Sequence, residues 1–183
     1  MKEERVYQIS ELKGRRTTME IIKCRCGDQT FRREIVHRPD ASAAIVETED
    51  GRFVLVKQHR TAVGCEMIEA VAGVVDDGEN PLVAIIREIK EETGHDAVGD
   101  LIHNNGSICY LGKIRPSPGY TDETVHLYYI EVSNVAGEQR PDDDERVEYL
   151  YVSYDEMNDM IHDGRITDAK TIVAWYHYNQ QIR

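Results

Sequence analysis

The stretch Gly73–His95 constrains the fold of this 183-residue chain more than any other part of it. Asn80 is a favoured helix N-cap, and Pro81 suits the first helical position because the N–H that proline lacks has no partner there. Apolar residues then recur at steps of three and four: Leu82, Ile85, Ile86 and Ile89. Gly94 is typical of the residue that follows a helix. The stretch therefore predicts a helix over Pro81–Thr93 with one buried stripe.

Three glutamates share another face of this predicted helix. Glu88, Glu91 and Glu92 are spaced i, i+3 and i+4, so their carboxylates lie side by side. Like charges at this spacing repel, whereas a hard cation bound between them reverses the sign of the interaction. Arg87 and Glu79 are placed to orient these carboxylates. A solvated helix face is the commoner meaning of clustered glutamates, but the number of fixed positions favours a cation site.

The stretch resembles the signature of the Nudix hydrolases, which cleave a nucleoside diphosphate linked to another group. That signature runs Gly, five residues, Glu, seven residues, Arg-Glu, an apolar residue, any residue, Glu-Glu, any residue, Gly and an apolar residue. The chain matches from Gly73 to Gly94 and departs only at His95, which stands for the final apolar residue. The resemblance implies a site for Mg²⁺ or Mn²⁺ with these ligands: Ala72 through its main-chain oxygen, Glu88, Glu91 and Glu92. It also places Glu91 among the catalytic residues.

Patterns outside the motif predict further strands and helices. Asp50-Gly51 lies between two apolar runs and is a strong hairpin signal. Ser153 and Glu156 form a capping box for a helix that ends near Gly164. Thr167 is expected to cap a last helix with these residues on its buried face: Ala169, Ile172, Val173 and Tyr176. The predicted strands are Thr30–His37, Ala41–Glu47, Phe53–Gln58, Ile108–Leu111, Val125–Val132 and Glu148–Val152.

This order of elements predicts an α+β or sandwiched α/β domain. The Nudix resemblance implies an α/β/α sandwich with a mixed β-sheet over residues 41–183. Residues 1–40 resemble the small N-terminal β-segment of ADP-ribose pyrophosphatases, which helps to pair two subunits, so a homodimer is expected.

A second element narrows the substrate. Pro116–Glu123 resembles the Ser-Pro-Gly loop of ADP-ribose pyrophosphatases and related nucleoside diphosphate sugar hydrolases, although on its own an ordinary surface turn is equally compatible. Its Gly119 and Glu123 are predicted to contact the substrate. Arg60 corresponds to an arginine that reaches the substrate phosphates in that subfamily, and Arg33 is expected to assist from the same or the partner subunit. A solvated charge at a strand end is the competing interpretation of Arg60.

The base that activates water is predicted on a later acidic run, Pro141-Asp142-Asp143-Asp144-Glu145. The subfamily carries such an acid on a loop after the motif, and Glu145 is the first choice, with Asp143 the second. A run of acids is also the usual composition of a solvated loop, so only one or two of these side chains can face a site.

Composition excludes some partners. The formal net charge of −12 argues against nucleic acid or an anionic membrane as a main partner. The chain has no apolar run of membrane-spanning length and opens with polar residues, so a cytoplasmic location is expected. The substrate implied is a small nucleoside diphosphate sugar such as ADP-ribose, cleaved to a nucleoside monophosphate and a sugar phosphate. Two alternatives stay open: hydrolysis of another diphosphate such as GDP-mannose, and a non-catalytic sensor that binds ADP-ribose.

Overall fold

A computed structural model of the chain describes residues 3–103, 107–140 and 146–183, without the side chains of residues 101–103. In chain order its elements are β1 (Glu4–Lys13), β2 (Thr18–Cys26), β3 (Gln29–His37), β4 (Ala41–Thr48), β5 (Phe53–Arg60), β6 (Cys65–Val74), α1 (Pro81–Thr93), α2 (Ala97–His103), β7 (Ile108–Ile114), β8 (Val125–Val132), β9 (Val147–Val152), α3 (Tyr154–His162) and α4 (Ala169–Gln181).

The first three strands form a separate antiparallel sheet in the order β1-β2-β3. The predicted strand over Thr30–His37 corresponds to β3, which begins one residue earlier. Every residue of β1 is exposed, so this strand has no buried face whose alternation would have revealed it in the sequence. β1 is an edge strand, and its outer edge lacks a neighbour within the described part of the chain.

The main sheet has six strands in the order β7-β8-β4-β6-β5-β9. The β4–β8 pair is parallel and the other pairs are antiparallel, which confirms the prediction of a mixed sheet. The predicted hairpin between β4 and β5 is present. The Thr48 N–H donates to the Arg52 carbonyl at 2.8 Å, and Gly51 adopts the left-handed conformation with φ of +78°.

Helices cover both faces of this sheet, which confirms the α/β/α sandwich. On one face α1 packs Ile85 and Ile89 against the strands, and both side chains are fully buried. On the other face α3 contributes Met157, and α4 contributes Trp175 and Tyr178. The two apolar layers fix the height of α1 above the sheet and so position its glutamates.

The helix ends agree with the sequence at α1 and α3. The Asn80 side chain accepts from the Leu82 N–H, and Gly94 has φ of +76°. Both hydrogen bonds of the capping box between Ser153 and Glu156 are present.

The predictions for α4 were wrong in two respects. The N-cap is Asp168 rather than Thr167, and its carboxylate accepts from the Thr171 N–H at 3.0 Å. Of the four residues predicted on its buried face, Tyr176 is 61% exposed and Ala169 is exposed too, whereas Ile172 and Val173 are partly buried. The helical spacing is as predicted, but the buried face is a different one, and it carries the large rings. Its buried residues are Thr171, Ala174, Trp175 and Tyr178.

The segment between the motif and the Pro116–Glu123 loop contains α2 and β7, and β7 extends three residues beyond the predicted strand. The short helix α2 accounts for part of the length between Gly94 and Pro118. None of the helices in the described ranges is long and apolar enough to cross a membrane.

Candidate active site

The motif helix turns its three glutamates in two directions. Glu88 and Glu91 line a cavity of about 1020 Å³ at the surface of the main sheet. Glu92 is buried, at 3% exposure, and one of its oxygens lies 3.3 Å from the main-chain nitrogen of Ala72 on β6. The carboxylate of Glu92 therefore ties the helix to the strand that carries the predicted carbonyl ligand, while the other two carboxylates face the open space.

Arg87 joins the carboxylates of the motif. Its guanidinium donates to Glu88 at 2.7 Å, to Glu91 at 3.1 Å and to both oxygens of Glu79 at 3.2 Å. It also donates to the Val74 carbonyl at 3.1 Å. The hydrogen bond with Glu79 raises the pKa of Arg87 above its usual range and lowers the pKa of Glu79. The predicted contacts of Arg87 are thus present, and they restrain the carboxylates in one orientation.

Gly73 is required by the close approach of β6 to α1. A Cβ atom built at this position would lie 1.9 Å from the Glu88 side-chain carboxyl carbon. Any larger residue must therefore displace Glu88 from its place at the cavity. The first glycine of the motif has a direct steric role in positioning a predicted metal ligand.

The last turn of α1 is held by the segment that follows β8. The Gly137 N–H donates to the Gly94 carbonyl at 2.8 Å, and the Arg140 N–H donates to the Glu91 carbonyl at 2.9 Å. The side-chain amide of Gln139 donates to the Glu92 carbonyl. These bonds satisfy carbonyls at the helix end that lack partners within the helix.

Arg60 lies at the end of β5 and lines the same cavity. Its guanidinium forms a fork on Glu69, with two hydrogen bonds of 2.7 Å, and Lys170 of α4 contacts the same carboxylate at 2.5 Å. Burial acts to raise the pKa of Glu69, but the hydrogen bonds and charges of Arg60 and Lys170 outweigh it and hold the pKa at about 2. Asp168 contacts Lys170 at 3.1 Å, so two cations and two carboxylates share this wall.

The loop at Pro116–Glu123 also borders this cavity. Ser117, Tyr120 and Glu123 line the cavity, whereas Gly119 is outside its described lining. The Tyr120 and Thr121 N–H groups both donate to the Ser117 carbonyl, which closes the turn. The structure thus brings Glu123 to the cavity and leaves Gly119 in the turn that presents it.

Arg33 does not reach this cavity within the chain. It donates to Glu3 at 2.6 and 3.1 Å and stacks on Phe31 with 4.2 Å between the guanidinium carbon and the ring centre. Its expected contribution through a partner subunit stays a prediction. The predicted bases Glu145 and Asp143 lie outside the described residues.

Several cavity residues were missed by the sequence analysis: Arg16, Arg38, Glu69, Asp168 and Lys170. Glu69 and Lys170 lie about a hundred positions apart, so no local spacing could have paired them. Asp168 carried a usable signal, because Asp is as good an N-cap as Thr and stands directly after it.

The donor set fits a hard divalent cation. No three His, Cys, Asp or Glu side chains within the described ranges converge as a ready-made cation site. Mg²⁺, however, is usually held by one or two carboxylates together with waters and substrate phosphates. Glu88, Glu91 and Ala72 border one cavity and offer oxygen ligands only. The Arg87 guanidinium bridges Glu88 and Glu91 and offsets their mutual repulsion, as a cation held by the same carboxylates would.

Comparison with known proteins identifies the family. The NUDIX domain matches residues 36–176, most of the chain. The chain therefore belongs to the Nudix family, as the motif predicted, and it is a Nudix pyrophosphatase.

Individual relatives cover about four-fifths of the chain. It is 35% identical over 150 residues to the methanol dehydrogenase activator of Bacillus methanolicus, covering 80% of this chain and 75% of that protein. It is 33% identical over 144 residues to the ADP-ribose pyrophosphatase of Bacillus subtilis, covering 78% and 74%. The GDP-mannose pyrophosphatase of Cronobacter sakazakii is 30% identical over 155 residues, covering 80% and 76%.

A crystal structure of an ADP compounds hydrolase superposes with a TM-score of 0.79 at 16% identity, covering 98% of this chain and 94% of that one. This likeness confirms the fold.

Proposed function

We propose that this protein hydrolyses the diphosphate bond of ADP-ribose or a related nucleoside diphosphate sugar, releasing a nucleoside monophosphate and a sugar phosphate. One observation carries the proposal. A single cavity of about 1020 Å³ joins the motif carboxylates Glu88 and Glu91, the cationic wall at Arg60 and the loop that presents Glu123. The relatives named as ADP-ribose and GDP-mannose pyrophosphatases support the substrate class.

The cavity matches the two halves of such a substrate. A diphosphate is anionic, and the chain has a formal net charge of −12, so local cations must attract it against the overall field. Arg60 and Lys170 lie beside Glu69 and Asp168 on one wall, and Arg16 and Arg38 also line the cavity, so cationic hydrogen-bond donors are present for the phosphate oxygens. Glu123 on that loop offers a carboxylate acceptor to sugar hydroxyls.

The reaction is assigned to hydrolysis assisted by Mg²⁺ or Mn²⁺. When bound, the cation neutralises the diphosphate and lowers the pKa of a coordinated water. The oxygens of Ala72, Glu88, Glu91 and Glu92 are the groups assigned to hold it. Arg87 keeps two of these carboxylates oriented through its contacts of 2.7 and 3.1 Å.

The proton from the attacking water needs an acceptor. We assign that role to Glu145, with Asp143 as the second choice, on the resemblance to the subfamily alone. Arg60, whose side chain is 40% exposed, is assigned to the phosphate oxygens, and its fork on Glu69 fixes the plane of its guanidinium.

GDP-mannose is the second candidate substrate, because a relative at 30% identity is named for it. The name of the Bacillus methanolicus relative describes an effect on another enzyme and specifies no substrate. A non-catalytic sensor of ADP-ribose is disfavoured because the glutamates and the arginine of the motif are intact.

A turnover panel with Mg²⁺ tests the proposal: ADP-ribose, ADP-glucose, GDP-mannose, UDP-glucose, NADH and diadenosine polyphosphates, with the released monophosphate measured by chromatography. We expect the highest kcat/KM on a nucleoside diphosphate sugar. Hydrolysis of none of the sugar diphosphates would refute the assignment. Binding of ADP-ribose without release of AMP would support the sensor.

The assembly and location are also proposals. β1 exposes apolar side chains along an open edge, with Leu12 72% and Tyr7 53% exposed, which supports pairing of two subunits through the N-terminal sheet. A boundary near residue 40, a cytoplasmic location and the absence of a nucleic-acid partner follow from the sequence arguments only.

A further inference from the structure

One histidine contacts both the N-terminal sheet and the Pro116–Glu123 loop. His37, the last residue of β3, lies between two carboxylates from different parts of the chain. Its Nδ1 is 2.5 Å from Asp122 of the cavity loop, and its Nε2 is 2.9 Å from Glu20 of β2. The Glu20 side chain is only 5% exposed, so the imidazole bridges a buried carboxylate and a loop carboxylate.

The contacts of His37 favour the doubly protonated, positively charged form of its ring. Each ring nitrogen faces a carboxylate oxygen, and a neutral imidazole has only one N–H to donate. The imidazolium donates to both. The hydrogen bond with Asp122, followed by that with Glu20, raises the pKa of His37. Two neighbours also bind these carboxylates: Arg5 of β1 forms a fork on Glu20 with two bonds of 2.8 Å, and the Arg38 N–H donates to Asp122 at 3.2 Å.

The main chain beside His37 continues the same attachment. The Val36 N–H donates to the Tyr120 carbonyl at 2.7 Å, and Val36 forms a parallel bridge with Thr121. Tyr120 and Glu123 line the cavity, and Glu123 lies 3.6 Å from the Arg38 guanidinium. The loop that forms one wall of the cavity is therefore fastened to the N-terminal sheet at three successive residues, and His37 supplies the side-chain link.

We propose that His37 is a positioning residue for substrate selection, which holds the Pro116–Glu123 loop against the N-terminal sheet and so fixes Glu123 and Tyr120 at the cavity. His37 itself is outside the cavity lining that the structure describes, and it acts through Asp122. This inference rests on the proposed function, because that function assigns the loop to the sugar side of the substrate. It concerns binding of the substrate and leaves the hydrolytic centre on α1 unchanged.

Steady-state kinetics with Mg²⁺ test the proposal on the full chain. His37→Ala is expected to raise KM for the preferred nucleoside diphosphate sugar by about 10-fold, because loss of a charged hydrogen bond loosens one wall of the cavity. kcat should stay within about twofold of wild type, because α1 is untouched. His162→Ala is the matched control, since His162 is exposed on α3, and it should change neither parameter. A fall in kcat with KM unchanged, or no change at all, would overturn the proposal.

The pH dependence of KM separates this role from a general loss of structure. In wild type, KM should rise as the pH passes upward through the raised pKa of His37, because one carboxylate then loses its donor. His37→Gln keeps one amide donor and cannot titrate. Its KM should be intermediate between wild type and the Ala variant and should lack that rise. The same rise in the Gln variant would contradict the assignment to His37.

A readout independent of activity distinguishes failure of this inference from failure of the proposed function. Amide hydrogen exchange in the segments at Val36–Arg38 and Tyr120–Glu123 should be about 10-fold faster in His37→Ala than in wild type, while exchange in α1 stays unchanged. Unchanged exchange in both segments would overturn the link even if the enzyme is active. Faster exchange without hydrolysis of any sugar diphosphate would support the link and reject the function.

Discussion

The motif centre lines the cavity, and the attachment at His37 holds the loop that forms one of its walls, but the two are built in opposite ways. The motif centre comes from 22 consecutive positions, from Gly73 to Gly94. The loop attachment comes from Glu20, His37 and Asp122, which are separated by 17 and 85 positions. A cavity can thus take its chemistry from one local element and its wall from contacts between distant segments. Substitutions in the two regions should therefore have different consequences, in kcat for the first and in KM or stability for the second.

The largest effect is expected from Glu92→Gln in the motif centre. This change keeps the shape of the side chain and removes a charge assigned to the cation, so kcat should fall by about 10³-fold with the fold intact. Turnover of ADP-ribose with Mg²⁺ measures it, with circular dichroism as the check on folding. Glu34→Gln, an exposed glutamate of β3, is the control and should retain full activity. A near-normal rate in Glu92→Gln would remove Glu92 from the residues assigned to the cation.

Gly73→Ala should break the motif centre through sterics alone. The added Cβ would collide with the Glu88 carboxyl group, so we expect kcat to fall by about 100-fold and the Tm to fall by several degrees, about 5 °C. The double variant Gly73→Ala with Glu88→Asp shortens the obstructing side chain. It should recover the Tm and leave kcat low. Equal recovery of activity would show that the position of Glu88 is unimportant.

Glu69→Gln tests the cationic wall, which is assembled from distant residues. The folded-state pKa of Glu69 is lowered from 4.5 to about 2, so its ionised form stabilises the fold above pH 4.5 and this contribution is lost as the pH falls toward 2. Such a shift corresponds to about 3 kcal/mol at neutral pH. Urea unfolding at a series of pH values should show that the free energy of unfolding falls less steeply with acid in the variant than in wild type. Parallel pH profiles for the two proteins would contradict the assignment.

The smallest effect is expected at His95, where the motif departs from the family pattern. His95 is fully buried, its Nε2 lies 3.0 Å from the Tyr151 hydroxyl, and its Nδ1 lacks a hydrogen-bond partner in the described structure. Burial lowers its pKa, so protonation must oppose folding and stability should fall as the pH drops below about 6.5.

Between pH 7.5 and pH 5, the free energy of unfolding should fall by about 1 kcal/mol less in His95→Leu than in wild type. An identical difference at pH 7.5 and pH 5 would show that His95 does not titrate in this range. kcat should be unchanged, because position 95 is assigned to packing.

The parts of the fold that could be predicted are those whose signals are local. The ends of α1 follow from Asn80, Pro81 and Gly94, and the hairpin follows from Asp50-Gly51. β1 was missed because its residues are exposed on both sides, and Tyr176 was misplaced because the buried period of α4 is set by Trp175 and Tyr178.

The same distinction applies within the site. The carboxylates and Arg87 were predictable because a helix converts their spacing into proximity. Lys170 and Asp122 were not, because their partners Glu69 and His37 become neighbours only when the chain has folded. Arg33 was predicted to contact the substrate, but within the chain its side chain contacts Glu3 and Phe31.

The bridge between Val36 and Thr121 has a consequence for how such a domain can evolve. Because the N-terminal sheet supports a wall of the cavity, it cannot be gained or lost as an independent module. A descendant that lost residues 1–37 would inherit the hydrolytic helix with a cavity wall that is no longer restrained. Changes of substrate along this lineage are therefore expected to arise in the N-terminal strands as well as in the loop, at positions that never contact the substrate.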